Sequence, residues 1–476
     1  MASTAFAPLH WFLILVPCLA GFLLLIHEKT PQQGLLLGFL FGLGHFSTGL
    51  YWIQHAFTVV NMGSLGPIAV MGLASVLAVF PGLVGALTTL WSTTRLQQVW
   101  IFSSLWALME WLRSFIFTGF PWNLIGYTWD TPLLQITAWV GIYGLSFLTV
   151  LTATSFASRS FRFMGSTTTL LIVLWAAGSY RLHYAPFLEN QDIPIRLVQA
   201  SIPQGLKWRP EQQEKNLQLY ISLSHLEAER PLKIILWPEA AVTIPFTETS
   251  PIIDILKTAV PAGGVLITGG IRTSETKDPF PQVYNSLFVL NEEGKILNSY
   301  DKVYLTPFGE YVPLKKLLRI EKLTSGSLDF STGSSPKVLF TPSLPPFQPL
   351  ICYEGIFPNI VQGSKRRADW FVNLTNDAWF GESWGPYQHL AIVRVRSIEH
   401  GIPLIRAANN GISAVVDSYG RILYELKLNQ IGFVDFFLPR PIPEPTFYSH
   451  WREFPFMGMM IMGLLIGYLC RRKRTG

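Results

Sequence analysis

Two hydrophobic patterns divide the chain. In the first 182 residues, and again near the C-terminus, apolar residues run together without a period. Between these regions they come in short bursts broken by polar and turn residues. The continuous runs cover 8–27, 34–53, 66–91, 98–117, 132–157, 165–182 and 454–470. Each approaches the roughly 20 residues a helix needs to cross the hydrocarbon core. The pattern predicts about six transmembrane helices in residues 1–182, an extramembrane domain over 183–453, and a last helix with a basic tail over 454–476. Little positive charge precedes the first run, so it does not read as a signal peptide.

The middle region predicts strands over 195–200, 233–239, 265–270, 284–291, 349–354, 370–376, 403–409 and 412–417. Several are nearly continuous apolar runs, as in strands buried on both faces. Helices are expected over 210–230, where Leu217, Tyr220 and Ile221 share a face, and over 387–400. The class is α/β, with one large core. The sequence has no internal repeat and no metal-type cluster of ligands, so neither a cofactor nor a metal is expected.

Composition supports a membrane protein. Charged residues make up 14% and hydrophobic residues 49% of the 476, against about 25% charged in an average soluble domain. The three cysteines cannot build a disulfide framework. The net charge of +6 owes much to Arg471–Arg474. Beside an apolar run that basic tail reads as a topology signal, not a nucleic-acid site. Lys29, Arg95, Arg159, Arg162 and the tail fall on alternate loops, and the remaining loops are nearly free of positive charge except for Arg113. The positive-inside rule then makes the C-terminus cytoplasmic and places the large domain, and the N-terminus, on the periplasmic side of an inner membrane. His45, His55 and Glu110 lie in or near the spans, where ionisable groups invite functional readings; placement at helix ends or within the bundle gives them structural roles. The aromatic stretch Glu110–Tyr127 suits an interfacial loop.

Three segments at strand ends carry the candidate chemistry: "LWPE" with Glu239, "YDKVYLTPFGEYVP" with Lys302 and Glu310, and "ICYEG" with Cys352. Functional groups collect at carboxyl ends of strands in open α/β sheets. Singly, each has a plain reading: a solvated charge, or a core cysteine. Together they supply a thiol nucleophile, a carboxylate to take its proton, and an ammonium to stabilise an oxyanion.

These three segments resemble the Glu–Lys–Cys motifs of the nitrilase superfamily. The spans narrow the resemblance to its membrane-bound branch, the apolipoprotein N-acyltransferases. So do "EWLRSFIFTGFPWNLIGY", "VQASIPQGLKW" and the stretch from Asn373 to Asp417. The resemblance covers nearly the whole chain. It implies an αββα sandwich facing the periplasm on a helical membrane base. Glu239 is then the general base, Lys302 the oxyanion and charge-balancing group, and Cys352 the nucleophile. Glu310, Tyr353 and Glu354 support the site, and Trp208 and Arg319 belong to its loops. Family members usually begin with one more span, a point on which this chain departs from the pattern.

The implied reaction is ping-pong acyl transfer from a phospholipid, through a Cys352 thioester, to the α-amine of a diacylated apolipoprotein. Trp379 and Phe380, within Asn376–Trp384, are candidates for an arm at the membrane surface or for ordinary buried loop residues. A membrane-tethered amidase shares the triad but needs only an anchor. A transporter with a binding domain needs more polar spans than the sequence offers.

Overall fold

A computed structural model describes residues 1–130, 132–186, 191–274, 282–313, 315, 322–323, 329–342, 344–361 and 366–470. The seven apolar runs are largely helical, with bounds set by local chemistry. The first is a chain of short turns, Phe12–Ile14, Val16–Ala20 and Gly21–Ile26, the middle one wound as a π-helix around Pro17. The second begins at Pro31, where Thr30 and Gln33 form a capping box, and runs to Gly49. It then bends by 50° into Tyr51–Val59. Its Gly38 lies against helix Gly66–Trp91, and a Cβ there would stand 2.2 Å from the Pro81 carbonyl. Small residues allow this close backbone approach, on which helix association in lipid depends.

Helix Arg95–Arg113 is mostly buried and carries Gln97, Gln98, Ser103, Ser104 and Glu110 inward. Phe161–Tyr184, by contrast, exposes Leu170, Ile172, Val173 and Trp175, as a lipid-facing helix does. Among the described residues, three helices are long and apolar enough to cross a membrane: Gly63–Trp91, Pro132–Ser158 and Phe161–Tyr184. The bent pair makes up to four, while Phe12–Ile26 and Phe454–Leu469 are shorter apolar helices. Polar residues dilute Arg95–Arg113, which is not among them.

The described residues of the remaining part hold eleven strands: β1 (Pro194–Gln199), β2 (Ile234–Leu236), β3 (Val265–Thr273), β4 (Val283–Asn291), β5 (Ile296–Asp301), β6 (Phe347–Ile351), β7 (Trp370–Thr375), β8 (Leu404–Ala408), β9 (Ser413–Val416), β10 (Ile422–Leu426) and β11 (Gly432–Phe437). They form a six-stranded sheet ordered β11-β1-β2-β3-β4-β5 and a five-stranded sheet ordered β10-β9-β8-β7-β6. Alternate residues of both sheets, including Leu197, Leu236, Ile267, Ile351, Val372 and Ile405, meet in one core. The opposite face of the first sheet, with Val198, Ile235 and Leu266, packs on helix Pro210–His225. The opposite face of the second, with Leu350, Phe371 and Leu404, joins helix Gly385–His400 and the membrane helices in a single core. The arrangement is therefore helix, sheet, sheet, helix, with the last helix against the membrane part.

That helix is also polar-bonded to its neighbour. Gly141 breaks helix Thr137–Ser155 with φ +65°, and Glu399 Oε1 accepts the freed Ile142 N–H at 2.9 Å. Arg396 donates to the Tyr127 hydroxyl, and the Trp122 indole N–H to Gln388 Oε1 at 2.8 Å.

All eight predicted strands are present, but two end early. The 233–239 run stops pairing as a strand at Leu236, just before Pro238, which has no N–H for the ladder. The 349–354 run stops at Ile351, because Cys352 turns away with φ +50°. Pro349 is tolerated because β6 is an edge strand.

Candidate active site

Glu239, Lys302 and Cys352 each leave a strand at the same end of the sandwich, and the structure brings their side chains together. Glu239 follows β2 on a tight turn whose next residue, Ala240, has φ +46°. Gly269 of β3 lies directly beneath: a Cβ there would come within 2.5 Å of the Ala240 nitrogen. Only glycine permits that approach. Lys302 follows β5 and is almost fully buried. Its ammonium lies 2.9 Å from Glu310 Oε2 and 3.3 Å from Glu239 Oε1. Asn285 completes the cluster, its side-chain amide donating to Glu239 Oε1 and to Glu310 Oε1 at 2.8 Å each. Glu310 Oε2 also accepts the Thr306 N–H at 2.8 Å.

The electrostatics follow from burial and these contacts. Burial alone pulls the Lys302 ammonium down, but Glu310, Glu239 and Cys352 outweigh it and hold its pKa above the ordinary lysine value. Burial pushes Glu310 up, yet Lys302, the Thr306 N–H and Asn285 bring it below the usual carboxylate range. The Cys352 thiol is pushed up to about 12 by burial and by the Glu239 charge, with Lys302 opposing. It therefore rests as a thiol, and a base must take its proton at the moment of attack.

The turn carrying Cys352 is over-determined. Glu354 Oε2 accepts the Ile351 N–H at 2.7 Å, while its Oε1 accepts the Val303 N–H at 2.7 Å and the Tyr300 hydroxyl at 2.8 Å. One buried carboxylate thus binds the chain on one side of Cys352 to the chain beside Lys302. The Tyr353 hydroxyl donates to the Gly119 carbonyl at 2.9 Å. A second buried network approaches from β7, β8 and helix Gly385–His400. Asp377 faces His389 Nδ1 at 2.9 Å and the Arg406 guanidinium at 2.5 Å. His389 Nε2 lies 3.3 Å from the Cys352 carbonyl, to which it is placed to donate.

Trp208 is half-buried near the site, its indole N–H without a protein acceptor. Phe380 packs on Trp52 with ring centroids 4.4 Å apart, and Trp379 beside it is half-buried. Arg319 and the tail Arg471–Arg474 lie outside the described residues. Glu110 binds the Trp106 indole N–H and the Ile125 N–H, and His45 is enclosed by Phe6, Phe41 and Phe46. Neither reaches the cluster. Among the described residues there is no group of three or more His, Cys, Asp or Glu side chains suited to a metal ion.

The family model described as the apolipoprotein N-acyltransferase N-terminal domain matches residues 1–155, and the one described as carbon-nitrogen hydrolase matches 195–435. A relative from Rickettsia typhi, named apolipoprotein N-acyltransferase, is 39% identical over 98% of this chain and 96% of its own. The chain belongs to the apolipoprotein N-acyltransferase family. Relatives of the same name from Rhodopseudomonas palustris and Brucella melitensis are 36% and 37% identical. They cover 92% and 87% of this chain, and 86% and 82% of their own lengths. Among solved structures, an amidase from Nesterenkonia sp. is similar at 21% identity with a TM-score of 0.39, over 58% of this chain and 98% of its own.

Beyond the residues read from the motifs, this apolipoprotein N-acyltransferase family member brings Lys207, Asn285, Asp377, His389 and Arg406 to the site. Lys207 adjoins Trp208 in "GLKW" and Asn285 interrupts an apolar strand, both visible as polar residues in unfavourable company. The His389–Asp377 pairing joins a loop to a helix and leaves no such mark.

Proposed function

We propose that the chain transfers a fatty acyl group from a phospholipid to the α-amine of the diacylglyceryl N-terminal cysteine of apolipoproteins. Cys352 is the nucleophile, Glu239 the general base and Lys302 the oxyanion-stabilising cation. Glu310, Tyr353 and Glu354 hold these groups, Trp208 and Arg319 are the residues that the family resemblance assigns to the active-site loops, and Trp379 and Phe380 belong to an arm at the membrane surface. Residues 1–182 and 454–476 form the membrane base and 183–453 the catalytic domain, facing the periplasm of the inner membrane with the C-terminus cytoplasmic.

In the first half-reaction the Cys352 thiol attacks the ester carbonyl as Glu239 takes its proton. The C–O bond breaks, Glu239 returns the proton to the leaving alkoxide, and a lysophospholipid departs from a thioester. In the second, the neutral amine attacks the thioester and Glu239 takes a proton from the nitrogen. The C–S bond breaks, the thiol is restored and an amide is released. Lys302 balances the charge that develops on the carbonyl oxygen.

The observation that carries this reading is the hydrogen bond from Tyr353, next to the nucleophile, to the Gly119 carbonyl of the aromatic membrane loop. It ties the Cys352 turn to that loop, which supports a site within reach of two lipid-anchored substrates in succession. An assay with phospholipid and a diacylated lipopeptide tests it: N-acylated peptide and lysophospholipid should form in equal amounts. Hydrolysis of small amides without lipid transfer would instead favour a tethered amidase.

A further inference from the structure

A second lysine lies at the centre of the site, and neither the triad nor its supports include it. Lys207, in the short helix Gln204–Lys207, is 1% exposed. Its ammonium donates to the main-chain carbonyl of Glu239 at 2.8 Å. The titratable groups facing it are Glu239, on the turn after β2, and Cys352, on the turn after β6. These are the two groups between which the thiol proton moves.

The charges explain why a second cation belongs there. Glu239 and Glu310 bring two negative charges into a buried space, and Lys302 brings one positive charge already shared between them. With Lys207 charged, the cluster is neutral. Without it, the buried cluster keeps one uncompensated negative charge, which passes to the thiolate when the proton moves to Glu239 and which burial makes costly. The bond to the Glu239 carbonyl adds a mechanical role, because the turn it grips continues into Ala240 in the left-handed region.

We propose that Lys207 is a positioning residue of the acyl-transfer site, anchoring the main chain of Glu239 and supplying the second positive charge needed when the thiol proton moves to that carboxylate. The proposal rests on the acyl-transfer reading above. Burial lowers the Lys207 ammonium to about 8, against the pull of Glu239 and Cys352. Its charge is therefore complete below that value and lost as pH rises through it.

The test compares the full-length protein with Lys207→Met and Lys207→Arg in detergent micelles. One readout is acyl transfer from phospholipid to a diacylated lipopeptide across pH. The other is iodoacetamide alkylation of Cys352, resolved by mass spectrometry and needing no lipid. The native enzyme should lose activity above about pH 8. Lys207→Arg should keep activity to a pH at least about one unit higher. Lys207→Met should lose about 100-fold in rate with little change in KM, and its Cys352 should alkylate roughly tenfold more slowly at fixed pH. An unshifted alkaline limb in Lys207→Arg, an arginine variant as inactive as the methionine one, or unchanged alkylation in Lys207→Met would each overturn the proposal. If the native protein transfers no acyl group, the acyl-transfer reading fails, while the alkylation comparison still decides the role of Lys207.

Discussion

Tyr353 and Gly119 are 234 positions apart in the chain, yet the tyrosine hydroxyl donates to the glycine carbonyl at 2.9 Å. This bond ties the residue after Cys352 to the aromatic loop around Gly119. Tyr353→Phe keeps the ring and its packing on Phe357 but leaves the buried Gly119 carbonyl without this donor. The expected cost is about 1–3 kcal/mol of stability, read from thermal unfolding in micelles. Acyl transfer should fall more than small-ester cleavage, because the bond seats the turn against the lipid-facing loop.

Glu239 and Lys302 act on the Cys352 thiol in opposite senses. The carboxylate raises its pKa and the ammonium lowers it. Glu239→Gln should therefore leave Cys352 alkylation by iodoacetamide as fast as in the native protein, or faster, at alkaline pH. The same variant should lose about 10²–10⁴-fold in acyl transfer, because the base is gone. Lys302→Met should slow both. Loss of alkylation and transfer together in Glu239→Gln would contradict the division of roles.

Arg406 is fully buried against Asp377, and its guanidinium also donates to Asn373 Oδ1 at 2.5 Å. Arg406→Met leaves the Asp377 carboxylate buried without its cationic partner, with His389 Nδ1 and the Thr375 hydroxyl as remaining contacts. Removing one member of a buried pair typically costs 3–5 kcal/mol. Chemical denaturation should show a loss of about that size, and His389, which bears on the Cys352 carbonyl, should lose its orientation with it.

The site also sets an acid limit on stability. Glu310 is held below its ordinary value of 4.5 in the folded protein. A carboxylate with a depressed pKa contributes stability above the unfolded value and loses it as pH falls through the folded one. The melting temperature should decline as pH drops below about 4.5. In Glu310→Gln the decline should be shallower, from a lower starting point at neutral pH.

Much of this was legible in the sequence because the central strands are buried on both faces and read as apolar runs. The strands that escaped are β5, β10 and β11. β5 and β10 are sheet edges with mixed sequences, "ILNSYD" and "ILYEL". β11 carries Asp435, which pairs with Arg196 of β1 at 2.7 Å and disguises the strand as a polar segment. The clustering of Glu239, Lys302 and Cys352 was legible because they sit at strand ends beside proline, glycine and aromatic residues. Lys207 and Asn285 stand out in sequence only as polar residues among apolar neighbours, a mark that does not say which groups they meet in the fold. The His389–Asp377 link depends on how helix Gly385–His400 lies over β7. That arrangement is tertiary and has no local pattern.

The central claim is that Cys352 carries the acyl group between two lipid substrates. Purified protein incubated with a phospholipid labelled on its acyl chain, without acceptor, should acquire label that hydroxylamine at neutral pH removes, mapped to the peptide containing Cys352. Adding a diacylated lipopeptide should move that label onto the peptide amine, and Cys352→Ala should neither take up label nor transfer it. Acyl transfer at the native rate by Cys352→Ala, or label mapped to another residue, would contradict the account.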